Sequence, residues 1–373
     1  MKEFDYLIVG AGPFGAVCAR EIIKSGKRAL VIDKRAHVAG NAYTKRIEDI
    51  DCHEYGAHIF HTKRKDIWDY VTSFGEFLPF VNSPIAYYKG EVYNLPFNMN
   101  TFYALFHTET PQKAKKILEN ERGAFANITP KNLEEQAKKL VGKTIYEKLV
   151  KGYTEKQWGR ACRDLPPFII RRLPLRFTYD NNYFSDPYQG IPIGGYTNIF
   201  ANMLKGATVR LNVDFFSEQG QTLKGLCEKI IYTGEIDRYF SYCYGALAYR
   251  SLRFEREILP LSNYQGNAVV NYTDGEIPYT RVIEHKHFTP YLQTEKTVVS
   301  WEYPTAYKKG DEPYYPVNDE KNTALYERYA ELAKREKGVL FGGRLASYRY
   351  MDMDGTVAAA LDLMEKEGIR REC

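Results

Sequence analysis

The sequence predicts an α/β fold in which a parallel sheet with flanking helices is interrupted by a helical domain and an antiparallel sheet domain, and three observations predict it. First, the apolar run Tyr6-Leu7-Ile8-Val9 breaks at three glycines, resumes with helical spacing from Ala16 to Ile23, and is followed by a second apolar run, Arg28-Ala29-Leu30-Val31-Ile32. Second, residues 98 to 170 fill with Lys, Glu, Leu and Ala, with apolar residues three and four apart, the period of an amphipathic helix. Third, tyrosine-rich stretches such as SPIAYYKGEVYNLP, NAVVNYTD and KTVVSWEYP alternate as half-buried strands do.

Gly10, Gly12 and Gly15 stand in the G-x-G-x-x-G spacing between a strand and a helix, the context a dinucleotide fingerprint requires. Gly10 permits the tight turn, Gly12 lets a pyrophosphate approach the backbone, and Gly15 lets the helix pack closely on the strand. Asp33 closes the second strand about twenty residues on, where a carboxylate accepts from ribose hydroxyls. The continuation Lys34-Arg35-Ala36-His37-Val38-Ala39-Gly40-Asn41 is one that nicotinamide enzymes have no evident need for, so FAD is the expected cofactor. A second contact region is expected at Gly342-Gly343-Arg344 and at Asp352-Met353, ahead of an Ala-rich helix from Val357 to Met364 whose N-terminus faces the cofactor. The expected fold class is therefore α/β, a Rossmann-like FAD-binding domain of the glutathione-reductase-like class interrupted by the other two domains. The expected boundaries are 1–80 with 196–240 and 325–373 for the FAD-binding domain. They are 98–180 for the helical domain, and 81–97 with 181–195 and 241–324 for the antiparallel sheet. A hairpin is expected around Lys89-Gly90.

Composition narrows the function. A formal net charge of +5 from 52 basic and 47 acidic residues lacks the clustered basic stripe of a nucleic-acid binder and suits an anionic small molecule. Six cysteines, Cys18, Cys52, Cys162, Cys227, Cys243 and Cys373, lie far apart without CxxC spacing, so neither a zinc site nor a disulfide framework is expected. Reduced thiols and a cytoplasmic location are. No stretch approaches the roughly 18 apolar residues of a membrane span. His58 and His61 are three apart, but no carboxylate or thiol at suitable spacing joins them as a metal ligand.

Further strings carry a resemblance: EYGAHIFHT from Glu54, GYTEKQWG from Gly152, RRLP from Arg171 running to FTYDNNYF, YTRVIEHK from Tyr279, EPYYP from Glu312 and YRYMDM from Tyr348. Together and in this order they resemble bacterial UDP-galactopyranose mutase over almost the whole chain. The resemblance implies a flavin-dependent isomerase that interconverts UDP-galactopyranose and UDP-galactofuranose through a flavin N5–sugar adduct, with reduced FAD and no net redox change. It also implies a homodimer and a role in cell-surface polysaccharide biosynthesis.

By the same resemblance Arg172 and Arg281 hold the diphosphate, and a pair of forked guanidinium groups suits two phosphates whose charge grows as the sugar leaves. Arg172 would ride on a mobile loop that closes over substrate. Tyr315 and Tyr350 would hydrogen-bond the diphosphate, and His61 would stand beside the flavin, completing the expected catalytic set. Tyr153, Thr154 and Trp158, at helical spacing, would form the uridine face, where an aromatic ring can stack on uracil. Asn82, Tyr183 and Asn271 would complete the substrate contacts. On the cofactor side stand Gly10, Gly12, Phe14, Gly15, Asp33, Lys34, Asn41, His58, Ile59, Val213, Asp214, Arg344, Asp352, Met353 and Thr356, with Val213 and Asp214 acting mainly through backbone. The substituent on the sugar's second carbon stays open, so UDP-N-acetylgalactosamine is an alternative substrate. An amine-oxidase-like flavin oxidoreductase and a nucleotide-sugar binding module are the competing readings.

Overall fold

The computed structural model describes residues 2–170, 175–289 and 291–369. Arg172 and Cys373 therefore lie outside the described residues.

Five parallel strands form the first sheet, in the order Thr208–Leu211, Ala29–Asp33, Phe4–Val9, Cys227–Tyr232 and Val339–Phe341. In its central strands Leu7, Ile8, Leu30, Val31, Ile32 and Ile231 are fully or almost fully buried, the continuous apolar run of a sheet covered on both faces. On one side pack Val17 and Ile22 of the Pro13–Lys24 helix with Ala360 and Leu361 of the Met353–Lys366 helix; on the other lie Phe215 and Tyr232. The first helix begins at Pro13, three residues earlier than the apolar spacing predicts, because proline at a helix start needs no amide partner. The last begins at Met353, four residues before the predicted Val357.

Registers align Val9 with Ile32 and Tyr232, and Leu211 with Asp33. All the strands thus point their carboxyl ends at one crevice, where such sheets bind ligands. The glycine turn sits at its floor. Gly10 has φ +113°, and a Cβ on Gly15 would run into the carbonyl oxygen of Gly10, so both positions exclude a side chain.

A second sheet of seven strands runs Tyr315–Pro316, Tyr249–Leu259, Thr297–Ala306, Arg281–Glu284, Val269–Tyr272, Ile85–Tyr88 and Glu91–Asn94. It is antiparallel except that Val269–Tyr272 lies parallel to Ile85–Tyr88. These two are far apart in sequence, so no hairpin dictates their direction. The Lys89-Gly90 turn is the expected hairpin, with φ of +46° and +88° at its two central residues, the signature of a type I′ turn.

Ile230 to Tyr232 lie inside the parallel sheet, paired with Leu7 to Val9 and with Val339 to Phe341. One reading needs correcting. The segment 181–195, expected with the antiparallel sheet, contributes Tyr188–Pro192 to a separate small sheet with Phe60–Thr62 and Phe77–Pro79. Backbone pairing thereby ties it to residues of the 1–80 stretch.

The helical insert comprises Met99–Phe106, Pro111–Arg122, Leu133–Ile145, one π-helical turn at Tyr146–Lys151, and Gly152–Trp158. Phe102, Leu118, Leu133, Val141 and Ile145 form its core. The π turn rotates the last helix relative to the preceding one, a distortion that recurs near functional sites. Among the described residues no helix is long and apolar enough to cross a membrane.

Candidate active site

Two cavities meet at the carboxyl edge of the parallel sheet. The first is lined by Gly10, Gly12, Phe14, Gly15, Asp33, Lys34, Val213, Asp214 and Thr356. The second is a cleft of about 1400 Å³ between the helical insert and the seven-stranded sheet, lined by Ile59, His61, Asn82, Tyr153, Thr154, Trp158, Tyr183, Asn271, Arg281, Tyr315, Tyr350 and Asp352. Asn41, His58, Arg344 and Met353 line both. Ile59 and Asp352, read from sequence as cofactor residues, face only the second cavity.

The first cavity fits a dinucleotide. A Cβ at Gly12 would meet nothing nearer than the Cα of Gly40 at 3.6 Å, and the Pro13–Lys24 helix has no side-chain cap at its N-terminus. Bare backbone and free amides face the cavity there, the arrangement that receives a pyrophosphate. Asp33 anchors the turn as well as facing the cavity, accepting from the Ala11 amide at 2.8 Å and the Arg35 amide at 2.9 Å. The Val213 amide donates to the Asp33 carbonyl at 2.9 Å, so only its carbonyl remains for a ligand. Asp214, expected to act mainly through backbone, holds Arg238 at 2.7 Å by its side chain, and Arg238 lies 4.6 Å from the Phe216 ring.

Arg35 was not singled out in the sequence, yet it joins the two cavities' walls. It donates to Asn41 Oδ1 at 2.8 Å, pairs with Glu312 and lies 4.6 Å over the Tyr55 ring. Its signal was present in the basic residues that follow Asp33.

In the cleft, Arg281 donates from Nη2 and Nε to Glu302 Oε1 at 3.0 and 3.2 Å. Glu302 is fully buried, and its Oε2 has no hydrogen-bond partner among the described residues. One carboxylate oxygen therefore aligns the guanidinium, while Arg281 keeps the rest of its donor fork for the cleft. Glu302 was missed in the sequence; the signal was the one charged residue of the Thr297–Ala306 strand. Tyr315 and Tyr350 have ring centroids 6.0 Å apart, and Arg344 lies 4.9 Å from the Tyr350 ring while donating to the Met351 carbonyl at 2.8 Å. Burial raises the phenol pKa of Tyr153, Tyr183 and Tyr315, so these three are hydroxyl donors at neutral pH.

His61 bonds Asp186 Oδ2 through Nδ1 at 2.6 Å and stacks on Phe184 at 3.6 Å. It faces the cleft only, whereas His58 reaches both cavities. A chain of imidazoles holds His58 in place: the His53 amide donates to His285 Nδ1 at 3.2 Å, the His58 amide to His53 Nδ1 at 3.1 Å, and His285 Nε2 meets Ser300 Oγ at 2.8 Å. The acceptor role of both Nδ1 atoms places the ring protons of His53 and His285 on Nε2. Burial lowers the pKa of His58 to about 4 and that of His285 to about 3, and drives His53 in the same direction.

A glycine-floored dinucleotide cavity opening into a cleft with an aligned arginine and a tyrosine pair defines an enzyme that brings a nucleotide cofactor against an anionic substrate. A family model for UDP-galactopyranose mutase matches residues 148–350, and one for an NAD(P)-binding Rossmann-like domain matches residues 8–74. The chain is 40% identical to a probable UDP-galactopyranose mutase of Klebsiella pneumoniae over 97% of its own length and 94% of that protein. It is 38% identical to a dTDP-fucopyranose mutase of Escherichia coli over 95% and 96%. A crystal structure of reduced UDP-galactopyranose mutase superposes with a TM-score of 0.73 at 14% identity, covering 99% of this chain and 96% of that one; it bears on the fold. The chain belongs to the UDP-galactopyranose mutase family.

Proposed function

We propose that this enzyme interconverts UDP-galactopyranose and UDP-galactofuranose with reduced FAD as its cofactor. The observation that carries the reading is that the dinucleotide cavity and the cleft holding Arg281, Tyr315 and Tyr350 share Asn41, His58, Arg344 and Met353, so a sugar held by its diphosphate would meet the cofactor across that common wall. When bound, reduced FAD supplies a nucleophilic nitrogen toward the anomeric carbon and is regenerated without net loss of electrons.

The chain's own residues do the rest. Arg281, aligned by Glu302, binds the diphosphate and stabilises the charge that grows on it as the bond to the sugar breaks. Arg172, outside the described residues, is its counterpart by sequence. Tyr315 and Tyr350 donate hydroxyls to the same phosphates, while Trp158 and Tyr153 cover the base. Gly12 and the first turn of the Pro13–Lys24 helix hold the cofactor pyrophosphate, and Asp33 its ribose.

A second reading has a specific basis, because the dTDP-fucopyranose mutase is almost as similar as the Klebsiella relative. It keeps the chemistry and changes the base, the nucleotide sugar ring and the hexose. The test is to incubate dithionite-reduced protein anaerobically with UDP-galactofuranose, its N-acetylated analogue and dTDP-fucofuranose, and to separate the products by chromatography. Conversion of UDP-galactofuranose by reduced but not oxidised protein is expected. Preference for the dTDP sugar selects the second reading, and stoichiometric substrate oxidation without isomerisation overturns both.

A further inference from the structure

Lys156 lies one helical turn after Gly152. Neither residue lines the cleft, whereas Tyr153, Thr154 and Trp158 of the same helix do. The Lys156 ammonium donates to the carbonyl oxygens of Tyr272 and Tyr279, both at 2.8 Å. Gly152 faces the same backbone: a Cβ there would run into the Thr273 carbonyl oxygen and lie 2.8 Å from the Gly275 amide nitrogen. Both residues therefore grip the turn between Val269–Tyr272, which carries Asn271, and Arg281–Glu284, which begins at Arg281.

We propose that Lys156 is a positioning residue for nucleotide-sugar binding, clamping the helix that offers Tyr153, Thr154 and Trp158 to the turn that sets Asn271 and Arg281. The base-binding and diphosphate-binding groups are then held at one separation. This inference rests on the nucleotide-sugar reading above.

An apolar side chain of similar length would fill the space without burying a charge. Burial lowers the Lys156 pKa to about 8, with Asp274 of the turn acting in the opposite direction, so the protein keeps an ammonium where its charged form is disfavoured. What the ammonium adds is geometric: two charge-assisted bonds to carbonyls from opposite ends of one turn.

The probe is UDP alone, titrated calorimetrically into flavin-loaded protein. Lys156→Met should weaken UDP binding about tenfold and raise KM for UDP-galactofuranose alike, with kcat at saturation within about twofold, the split expected when uniform binding is lost. Gly152→Ala, which favours helix but forces the turn away, should weaken UDP binding in the same direction. If Lys156→Met fails to fold, Gly152→Ala decides: unchanged affinity there overturns the inference. So does unchanged affinity in a folded Lys156→Met variant, or a fall in kcat as large as the rise in KM. Wild-type protein that ignores millimolar UDP overturns the nucleotide-sugar reading itself, and this inference with it.

Discussion

At the scale of single residues, Arg281 and Glu302 have to be considered as a unit. Arg281 was legible because an arginine within YTRVIEHK carries a family resemblance, but its buried partner lies 21 positions on and is brought opposite it only by the pairing of Arg281 with Glu302 across two strands. Sequence spacing does not encode that register, so the carboxylate that aims the guanidinium stayed hidden. The pairing predicts two separable effects. Arg281→Ala should lower kcat by roughly ten- to a hundredfold, the worth of a charge-assisted bond that strengthens along the reaction. It should also destabilise the fold by about 1–3 kcal/mol, because buried Glu302 loses its charged partner and keeps only the Thr280 hydroxyl, at 3.3 Å from Oε1. Adding Glu302→Gln should restore much of the stability and none of the turnover. Denaturant midpoints measured beside kcat check this; a double variant as unstable as the single one would show that the two residues are not coupled.

Elements were legible wherever their logic is local. The strand, glycine turn and helix that open the chain lie within about twenty consecutive residues, and each glycine has a reason that its neighbours supply. The Phe60–Thr62 and Tyr188–Pro192 pairing escaped because its strands are three and five residues long and more than a hundred positions apart, too short and too distant for periodicity to join them. Within the glycine turn the structure separates two roles that the motif runs together. A Cβ at Gly12 would make only an ordinary contact with Gly40, at 3.6 Å, and its φ of −76° is an ordinary value, whereas a Cβ at Gly15 would strike the Gly10 carbonyl. Gly12→Val should therefore leave the apo fold nearly as stable as the parent while abolishing retention of the flavin on gel filtration. Gly15→Ala should lower the thermal midpoint of the apo protein itself. Equal apo stabilities for the two variants would show that the distinction is wrong.

For the molecule as a whole, burying His53 and His285 and half-burying His58 makes stability depend on pH in a way the sequence alone did not reveal. Their scattered positions became one chain only when the Ile50–His53 strand met the turn after Arg281–Glu284. All three have folded pKa values below the usual 6.5, about 4 for His58 and about 3 for His285, because burial disfavours the charged ring. The sign follows directly. Below pH 6.5 the unfolded chain takes up protons that the native imidazoles refuse, so stability is lost as pH falls, from about 6.5 down toward the folded values. Each histidine contributes up to about 1.4 kcal/mol per pH unit over that window. Glu284, held at about 2 against the desolvation that burial imposes by its bonds to His287, Gln265, Tyr264 and Thr297, adds to the loss once pH drops below its ordinary range near 4.5. The window between pH 6.5 and 5 therefore belongs mainly to the imidazoles. Urea unfolding followed across that window should give a slope of stability against pH that falls by about one proton in His285→Gln, since glutamine titrates in neither state. A variant slope indistinguishable from the parent's would mean that His285 is protonated in the native protein, and the neutral relay that fixes the His58 backbone between the two cavities would have to be abandoned.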